Sequence, residues 1–233
     1  LGSRVKPYTF TTPKPLMSVA GKTILKYIID EVSKLNPTEI IFVVGYKKVS
    51  IKKYVEDTFP NLKCSFVYQK IRDGDGSAVR LALQTIEDDE DLFIIFGDTL
   101  IDFNISKILN SHKNSHAIVF GMEVEEPSHY GIMNIKDNMD IYEVEEKPKE
   151  PKSNLAIIGT YYFSSLLTVK KILNEFYEKQ INIKGEYKIV QVLERYIEIR
   201  DASIKAAKAN KWFDCGRVEV LLEANKYFLK NNT

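Results

Sequence analysis

Two aspartates stand where an open α/β chain places its chemistry. Asp98, in Gly97-Asp98, follows Leu92–Phe96 (LFIIF), the most apolar stretch of the sequence. In open α/β sheets ligands bind beyond the carboxyl ends of the strands. A carboxylate there, next to a glycine, can hold Mg²⁺, which prefers hard oxygen ligands and keeps some of its waters. The plain structural role of such an aspartate is a turn or a helix N-cap. Asp214, in Lys211-Trp212-Phe213-Asp214-Cys215-Gly216, also follows an expected strand and precedes a helix, so by spacing alone it is equally a cap. Cations cluster near the start of the chain. Gly2-Ser3-Arg4 is a flexible turn ending in a guanidinium, and Pro13-Lys14-Pro15 places a lysine between two residues of locked φ on an expected extended backbone. Backbone N–H groups beside Arg4 and Lys14 would make a cradle for phosphate oxygens. The alternative is an N-terminal arm with scattered charges.

Other residue types exclude other chemistries. His112, His116 and His129 share no metal-ligand spacing, and neither G-x-S-x-G nor a Cys/His signature occurs. Cys64 and Cys215 form no close pair, which fits two free thiols in a reducing cytoplasm. Cys215 reads as packing. The 33 Lys+Arg balance 32 Asp+Glu for a net charge of +1 in 233 residues, leaving no electrostatic case for nucleic acid or an acidic membrane surface. No apolar run approaches the roughly 18 residues of a membrane span, and no secretory leader is visible.

The elements that must position these groups alternate in the first half. Helices are expected over 22–35, 49–59, 77–86 and 105–113, and strands over 39–44, 64–69, 92–96 and 116–124. EIIFVV and LFIIF are continuous apolar runs suited to strands buried on both faces. That alternation predicts a doubly wound, mainly parallel sheet. The rhythm then changes. Strands over 130–135 and 141–145 are joined by an Asp137-Asn138 turn, a further strand covers 156–163, and a polar loop spans 146–154. Helices are expected over 166–179, 187–197 and 218–229, with one strand within 205–213. The acidic run Glu87–Asp91 reads as a solvated loop. Without a Gly/Ser linker, a nucleotide-type half (about 1–125) and a second half (about 126–233) are expected to share one sheet within a single domain, 1–233.

Three further places carry binding potential. Gln69 ends the third strand with an amide that both donates and accepts, which suits a pyrimidine edge, and Gly76-Ser77-Ala78 opens the next helix. Glu146 on its loop could accept two hydrogen bonds from adjacent hydroxyls of a ligand. Lys147 could hold a phosphate as a point charge.

The opening L-G-S-R-x-x-P-x-T-x-x-x-P-K-P-L resembles the signature of the sugar-1-phosphate nucleotidyltransferases, of the glucose-1-phosphate thymidylyl- or uridylyltransferase kind. Further matches follow in family order: Gly76-Ser77-Ala78, Tyr130-Gly131, Glu145-Glu146-Lys147-Pro148, Gly185-Glu186-Tyr187 and the W-x-D-x-G of 212–216. The resemblance spans essentially the whole chain. It implies a Rossmann-like, mixed but mainly parallel sheet flanked by helices, with a small antiparallel sugar-binding subdomain. It implies nucleotidyl transfer from a nucleoside triphosphate (dTTP or UTP, with CTP open) to a sugar 1-phosphate, with Mg²⁺ as cofactor. Leu1, Gly2, Gln69, Gly76 and Ser77 would then bind the nucleotide, while Arg4 and Lys14 act on the triphosphate. Asp98 and Asp214 would hold the metal, and Gly131, Glu146, Lys147, Ile157 and Gly159 the sugar phosphate. A homo-oligomer is left open. The family's first strand and the start of its glycine loop would precede Leu1, so an apolar strand and a Gly-rich turn are expected upstream. A non-catalytic binding subunit on the same fold, or a CTP-using transferase of a non-sugar alcohol phosphate, are the alternative functions.

Overall fold

The structure, a computed structural model, describes residues 12–199 and 201–231. After a 3₁₀ turn at Lys14–Leu16 come β1 (Ser18–Val19), β2 (Lys22–Thr23), α1 (Ile24–Ser33), β3 (Ile40–Val44), α2 (Lys48–Thr58) and β4 (Cys64–Tyr68). The middle of the chain forms α3 (Asp75–Leu83), β5 (Leu92–Ile95), β6 (Thr99–Ile101), α4 (Ile105–Ser111), β7 (Ala117–Glu123), β8 (Gly131–Ile135) and β9 (Ile141–Glu146). Then follow β10 (Leu155–Phe163), α5 (Leu166–Glu178), α6 (Ile189–Glu198), β11 (Ile204–Lys208), β12 (Trp212–Asp214) and α7 (Val218–Asn231). The chain is α/β, with mixed sheet flanked by helices, as the family resemblance implies; the doubly wound, mainly parallel order that the alternation alone predicts gives way to antiparallel pairing of β7, β10, β8 and β9.

Two compact units organise these elements: among the described residues, one is built from 12–68, 95–106 and 210–231, the other from 69–94, 107–199 and 201–209. In the first, β3 and β4 run parallel with Ile40 opposite Cys64 and Val44 opposite Tyr68. Leu25, Ile29, Val44, Ile51 and Val55 form the core beneath them, with Phe42 and Phe66 stacked at 5.2 Å. The spacing of Ile24, Leu25, Ile28, Ile29 and Val32 buries one face of α1, as period 3.6 requires. Lys22 and Thr23, expected to be helical, instead pair with Val19 and Ser18. Ala20 and Gly21, both at positive φ, turn the chain between them. Thr23 then caps α1, its hydroxyl accepting from the Lys26 N–H at 3.0 Å.

The second unit carries a six-stranded sheet of order β11-β7-β10-β8-β9, with β5 also paired to β10. β11 runs parallel to β7, whereas β7, β10, β8 and β9 pair antiparallel. α6 packs on β9, and α3 against α5 and α6. The β8–β9 hairpin is the one its Asp137-Asn138 turn predicts: the Asp140 N–H donates to the Asn138 side chain at 3.1 Å and Met139 takes positive φ.

The single strand expected within 205–213 is two strands serving different partners. β11 extends β7, and β12 pairs antiparallel with β6, Asp214 opposite Thr99. Asn210 and Lys211 break the run. The helix expected from Tyr187 begins at Ile189. The Tyr187 N–H donates to Asp73 O at 2.6 Å and its carbonyl accepts from the Gly76 N–H at 2.9 Å, so neither enters a helical ladder. Among the described residues, no helix is long and apolar enough to cross a membrane.

Candidate active site

The first unit assembles three of the expected residues. Pairing of β12 with β6 sets Asp214 opposite Thr99, and one residue further along the Cys215 N–H donates to Asp98 O at 3.0 Å. The two aspartates therefore occupy neighbouring positions on paired segments. Asp98 sits in a tight turn closed by the Thr99 N–H donating to Phe96 O at 3.2 Å. Lys14 reaches it, Nζ to Oδ2 at 3.2 Å, with both side chains partly buried. The lysine is not on extended backbone: it opens a 3₁₀ turn in which the Leu16 N–H donates to Pro13 O and the Met17 N–H to Lys14 O, both at 2.9 Å. Pro15 fits because its missing N–H would be an orphan there in any case.

Gly216 completes the cluster. Its N–H donates to Asp214 Oδ1 at 3.0 Å. A Cβ on Gly216 would lie 2.8 Å from that oxygen and 3.3 Å from Lys14 Nζ, so the carboxylate and the ammonium flank the same bare Cα. The arrangement offers two carboxylates and one cation on short, hydrogen-bonded supports, a donor set of hard oxygens that fits Mg²⁺. Cys215 is fully buried, its Sγ donating to Phe213 O at 3.7 Å. Burial, with the Asp98 and Asp214 charges added, pushes its thiol up to about 12, which makes it the packing residue the sequence suggests.

The second unit gathers the remaining described residues in two places. Gln69 Nε2 donates to Gly74 O at 3.0 Å. Gly74 has φ +116°, and a Cβ there would lie 2.0 Å from Tyr187 O; no other residue fits. At Gly76 the nearest Tyr187 atoms would be at 3.0 Å. The 73–76 loop is thus laid on the segment before α6, with Ser77 buried in the first turn of α3. Asp75 fastens the same junction, its Oδ1 accepting from the Ile189 N–H at 2.8 Å. Burial pushes the Asp75 carboxyl up, the Ile189 hydrogen bond and Lys188 hold it back, and Glu146 adds to the rise.

Gly131, Glu146 and Ile157 meet as expected. Gly131 lies opposite Glu146 across the β8–β9 pair. A Cβ on it would come within 3.3 Å of both Glu146 Oε2 and Ile157 Cδ1, so its bareness makes room for the carboxylate and the isoleucine wall. Glu146 ends β9 rather than lying on the following loop, which gives it a fixed backbone. Lys147, at φ +49° and largely exposed, keeps its Nζ 3.7 Å from Glu146 Oε1. Gly159, at φ +70°, lies where the β10–β7 register shifts between Ile157 and Tyr161, a bulge that glycine tolerates. Leu1, Gly2 and Arg4 lie outside the described residues.

Sequence reasoning missed Lys188. Its Nζ is 3.1 Å from Glu146 Oε1 and 3.0 Å from Glu186 Oε2, and its side chain is only 15% exposed. The available signal was a lone cation just after Gly185-Glu186-Tyr187 and just before an apolar-periodic helix.

The structure thus joins a mixed α/β fold to two carboxylates at adjoining strand ends and a lysine on a proline-framed turn. The chain belongs to the nucleotidyl transferase family, whose model matches residues 1–231. It is 35% identical over its whole length to the bifunctional protein GlmU of Methanocaldococcus jannaschii, covering 53% of that protein. It is 30% identical, again over its whole length, to the UTP–glucose-1-phosphate uridylyltransferase AglF of Haloferax volcanii, covering 94% of it. The chain spans about half the length of the first curated relatives it matches. Among solved structures, a UDP-glucose pyrophosphorylase complexed with UDP-glucose superposes with a TM-score of 0.82 at 25% identity, covering 99% of this chain and 95% of the other. A putative glucose-1-phosphate thymidylyltransferase from Bacillus anthracis shares the fold with a TM-score of 0.82 at 24% identity, covering 98% of this chain and 91% of that one.

Proposed function

We propose that this chain transfers a nucleotidyl group from a pyrimidine nucleoside triphosphate to a sugar 1-phosphate, with UTP and glucose 1-phosphate the first pair to test. The observation that carries the reading is the grouping of Lys14, Asp98 and Asp214 around Gly216. An oxygen of the sugar phosphate attacks the α-phosphorus in line, the new P–O bond forms, and the bond to the departing pyrophosphate breaks. The nucleophile is already anionic, so no general base is needed; charge repulsion and alignment set the barrier. Lys14 is assigned the α-phosphate, where a cation offsets the charge that develops. Arg4 is assigned the triphosphate tail and leaving pyrophosphate, and Leu1 and Gly2 the backbone cradle. Asp98 and Asp214 would hold Mg²⁺. When bound there, the ion supplies Lewis acidity to phosphoryl oxygens.

Gln69, Gly76 and Ser77 are assigned the nucleotide. The Gln69 amide nitrogen donates one of its two hydrogens to Gly74 O, so the side chain keeps its carbonyl oxygen and its second N–H for a ligand. The oxygen suits the N3–H of uracil or thymine, and the N–H an adjacent carbonyl of the base. Gly131, Glu146, Lys147, Ile157 and Gly159 are assigned the sugar phosphate, Glu146 taking adjacent hydroxyls and Lys147 the phosphate. The name of the Haloferax volcanii relative supports UTP and glucose 1-phosphate. We take 1–233 as one nucleotidyltransferase domain working in the cytoplasm, in keeping with two unpaired cysteines.

Pyrophosphate release from a matrix of five nucleoside triphosphates and several sugar 1-phosphates, with and without Mg²⁺, tests the reading. Mg²⁺-dependent release with UTP or dTTP is expected. Release with none of the sugar phosphates would overturn it.

A further inference from the structure

We propose that Lys188 is a positioning residue that fixes the Glu146 carboxylate for the sugar hydroxyls. The proposal rests on the assignment of Glu146 made above. Glu146 touches two lysines, and they differ in kind. Lys147 is 59% exposed with its ammonium 3.7 Å away, so it can turn to a ligand. Lys188 is 15% exposed, at 3.1 Å, and holds Glu186 with the same ammonium at 3.0 Å. Its backbone is fixed as well. The Lys188 N–H donates to Gln191 Oε1 at 3.1 Å. Its neighbours Tyr187 and Ile189 are bound to Asp73, Gly76 and Asp75. A lysine so tied cannot follow a phosphate, but it can hold a carboxylate at one rotamer. Oε1 meets both lysines, and Oε2 faces Gly131.

The surroundings explain why Glu146 requires such a partner. Asp75 on α3 and Glu194 on α6 both feel its charge, as does Tyr161 on β10. Burial pushes up the Asp75 carboxyl, the Glu194 carboxyl and the Tyr161 hydroxyl, and Glu146 adds to each rise. Glu198 contributes further at Glu194. Burial presses the Lys188 ammonium down, but its hydrogen bonds to Glu186 and Glu146 outweigh that and hold it above the usual lysine range. Removal of this cation leaves partly buried carboxylates facing one another, with the exposed Lys147 the other lysine that meets Glu146 among the described residues. The Glu146 carboxylate then loses the contact that holds it at one rotamer for two hydroxyls.

The test compares Lys188→Met, Lys188→Arg, Glu146→Gln and the Glu146→Gln/Lys188→Met double variant, reading KM for each substrate and kcat, with Tm as a folding control. Lys188→Met is expected to raise the sugar phosphate KM about ten- to hundredfold, the range of a charged hydrogen bond, with kcat much less affected. The triphosphate KM should change far less, and Lys188→Arg should restore most of the affinity. The double variant should match Glu146→Gln, because the lysine acts through that carboxylate, and should fold even where Lys188→Met does not. An unchanged sugar phosphate KM in Lys188→Met beside an impaired Glu146→Gln overturns this inference and spares the sugar-site assignment. A further loss in the double variant overturns it too. An unaffected Glu146→Gln overturns the assignment of Glu146 itself.

Discussion

Gly216→Ala separates catalysis from folding. The new methyl would sit 2.8 Å from Asp214 Oδ1 and 3.3 Å from Lys14 Nζ. Both are ends of rotatable side chains, so they yield by a few tenths of an ångström while the backbone stays put; φ at this glycine is not in the left-handed region. Strain is small, and replacing glycine restricts the unfolded chain, which stabilises by about 0.4–1 kcal/mol. The net change stays within about 1 kcal/mol, or a Tm shift of about 2–4 °C for a chain of this size. The rate is more sensitive. A misplacement of about 1 Å can cost about a hundredfold, so a smaller retreat of both the carboxylate and the ammonium predicts a loss of roughly ten- to a hundredfold. It should be deepest at limiting Mg²⁺. The assay is continuous pyrophosphate release across a Mg²⁺ titration, beside thermal unfolding. Wild-type turnover at limiting Mg²⁺, in a folded variant, would refute the placement of Asp214 and Lys14 at the reacting phosphates.

Gly74→Ala combines a positive-φ residue with a 2.0 Å clash against the Tyr187 carbonyl; strain of about 1–3 kcal/mol and loss of the loop's hydrogen bonds should lower Tm by several degrees and weaken nucleotide binding. Gly185→Ala, at φ +83° with open space around it, should show only the smaller strain; equal Tm losses in the two would count against the docked loop. Lys14→Ala and Lys147→Ala should raise KM for different substrates, the triphosphate and the sugar phosphate respectively, by about tenfold or more; matching defects on both substrates would dissolve the distinction. Asp75 has a raised folded pKa, first through burial, so its contribution to stability is full below its unfolded value of about 3.9 and is lost as pH rises through the folded one. Asp75→Asn keeps an acceptor for the Ile189 N–H and should therefore unfold at higher temperature than wild type near neutral pH, the gap closing below about pH 4; a gap that persists in acid contradicts the buried charge.

What could be read from the sequence was local or motif-bound. The apolar run before Asp98, the helical spacing through Val32 and the turn at Asp137-Asn138 each carry their structure within a few residues, and all three stand. The grouping of Gly131, Glu146 and Ile157 followed from the family resemblance, since nothing in their spacing says that β10 approaches the β8–β9 hairpin. Misreadings arose where a distant partner decides. Residues 205–213 look like one strand until β7 takes the first part and β6 the second. Tyr187 suits a helix by type, yet its peptide groups are claimed by Asp73 and Gly76. Lys188 escaped notice because its meaning lies in the carboxylate it reaches, forty-odd residues earlier in the chain. Lys14 was placed by its motif, while its 3₁₀ turn overrode the extended preference of a residue before proline.

The pairing of β12 with β6 also says when, during synthesis, this site can exist. Thr99, Leu100 and Ile101 are all buried and emerge early, but the strand that completes them carries Asp214. Roughly a hundred residues separate the two aspartates, and at about 5–20 residues per second a ribosome takes roughly 5–20 s to supply them. Until then Asp98 has neither its neighbouring carboxylate nor the Cys215 N–H at its carbonyl. On the assignments proposed above, a nascent chain interrupted before residue 214 carries the sugar-side residues and lacks the pair of carboxylates, so premature termination is expected to leave a polypeptide unable to consume triphosphate.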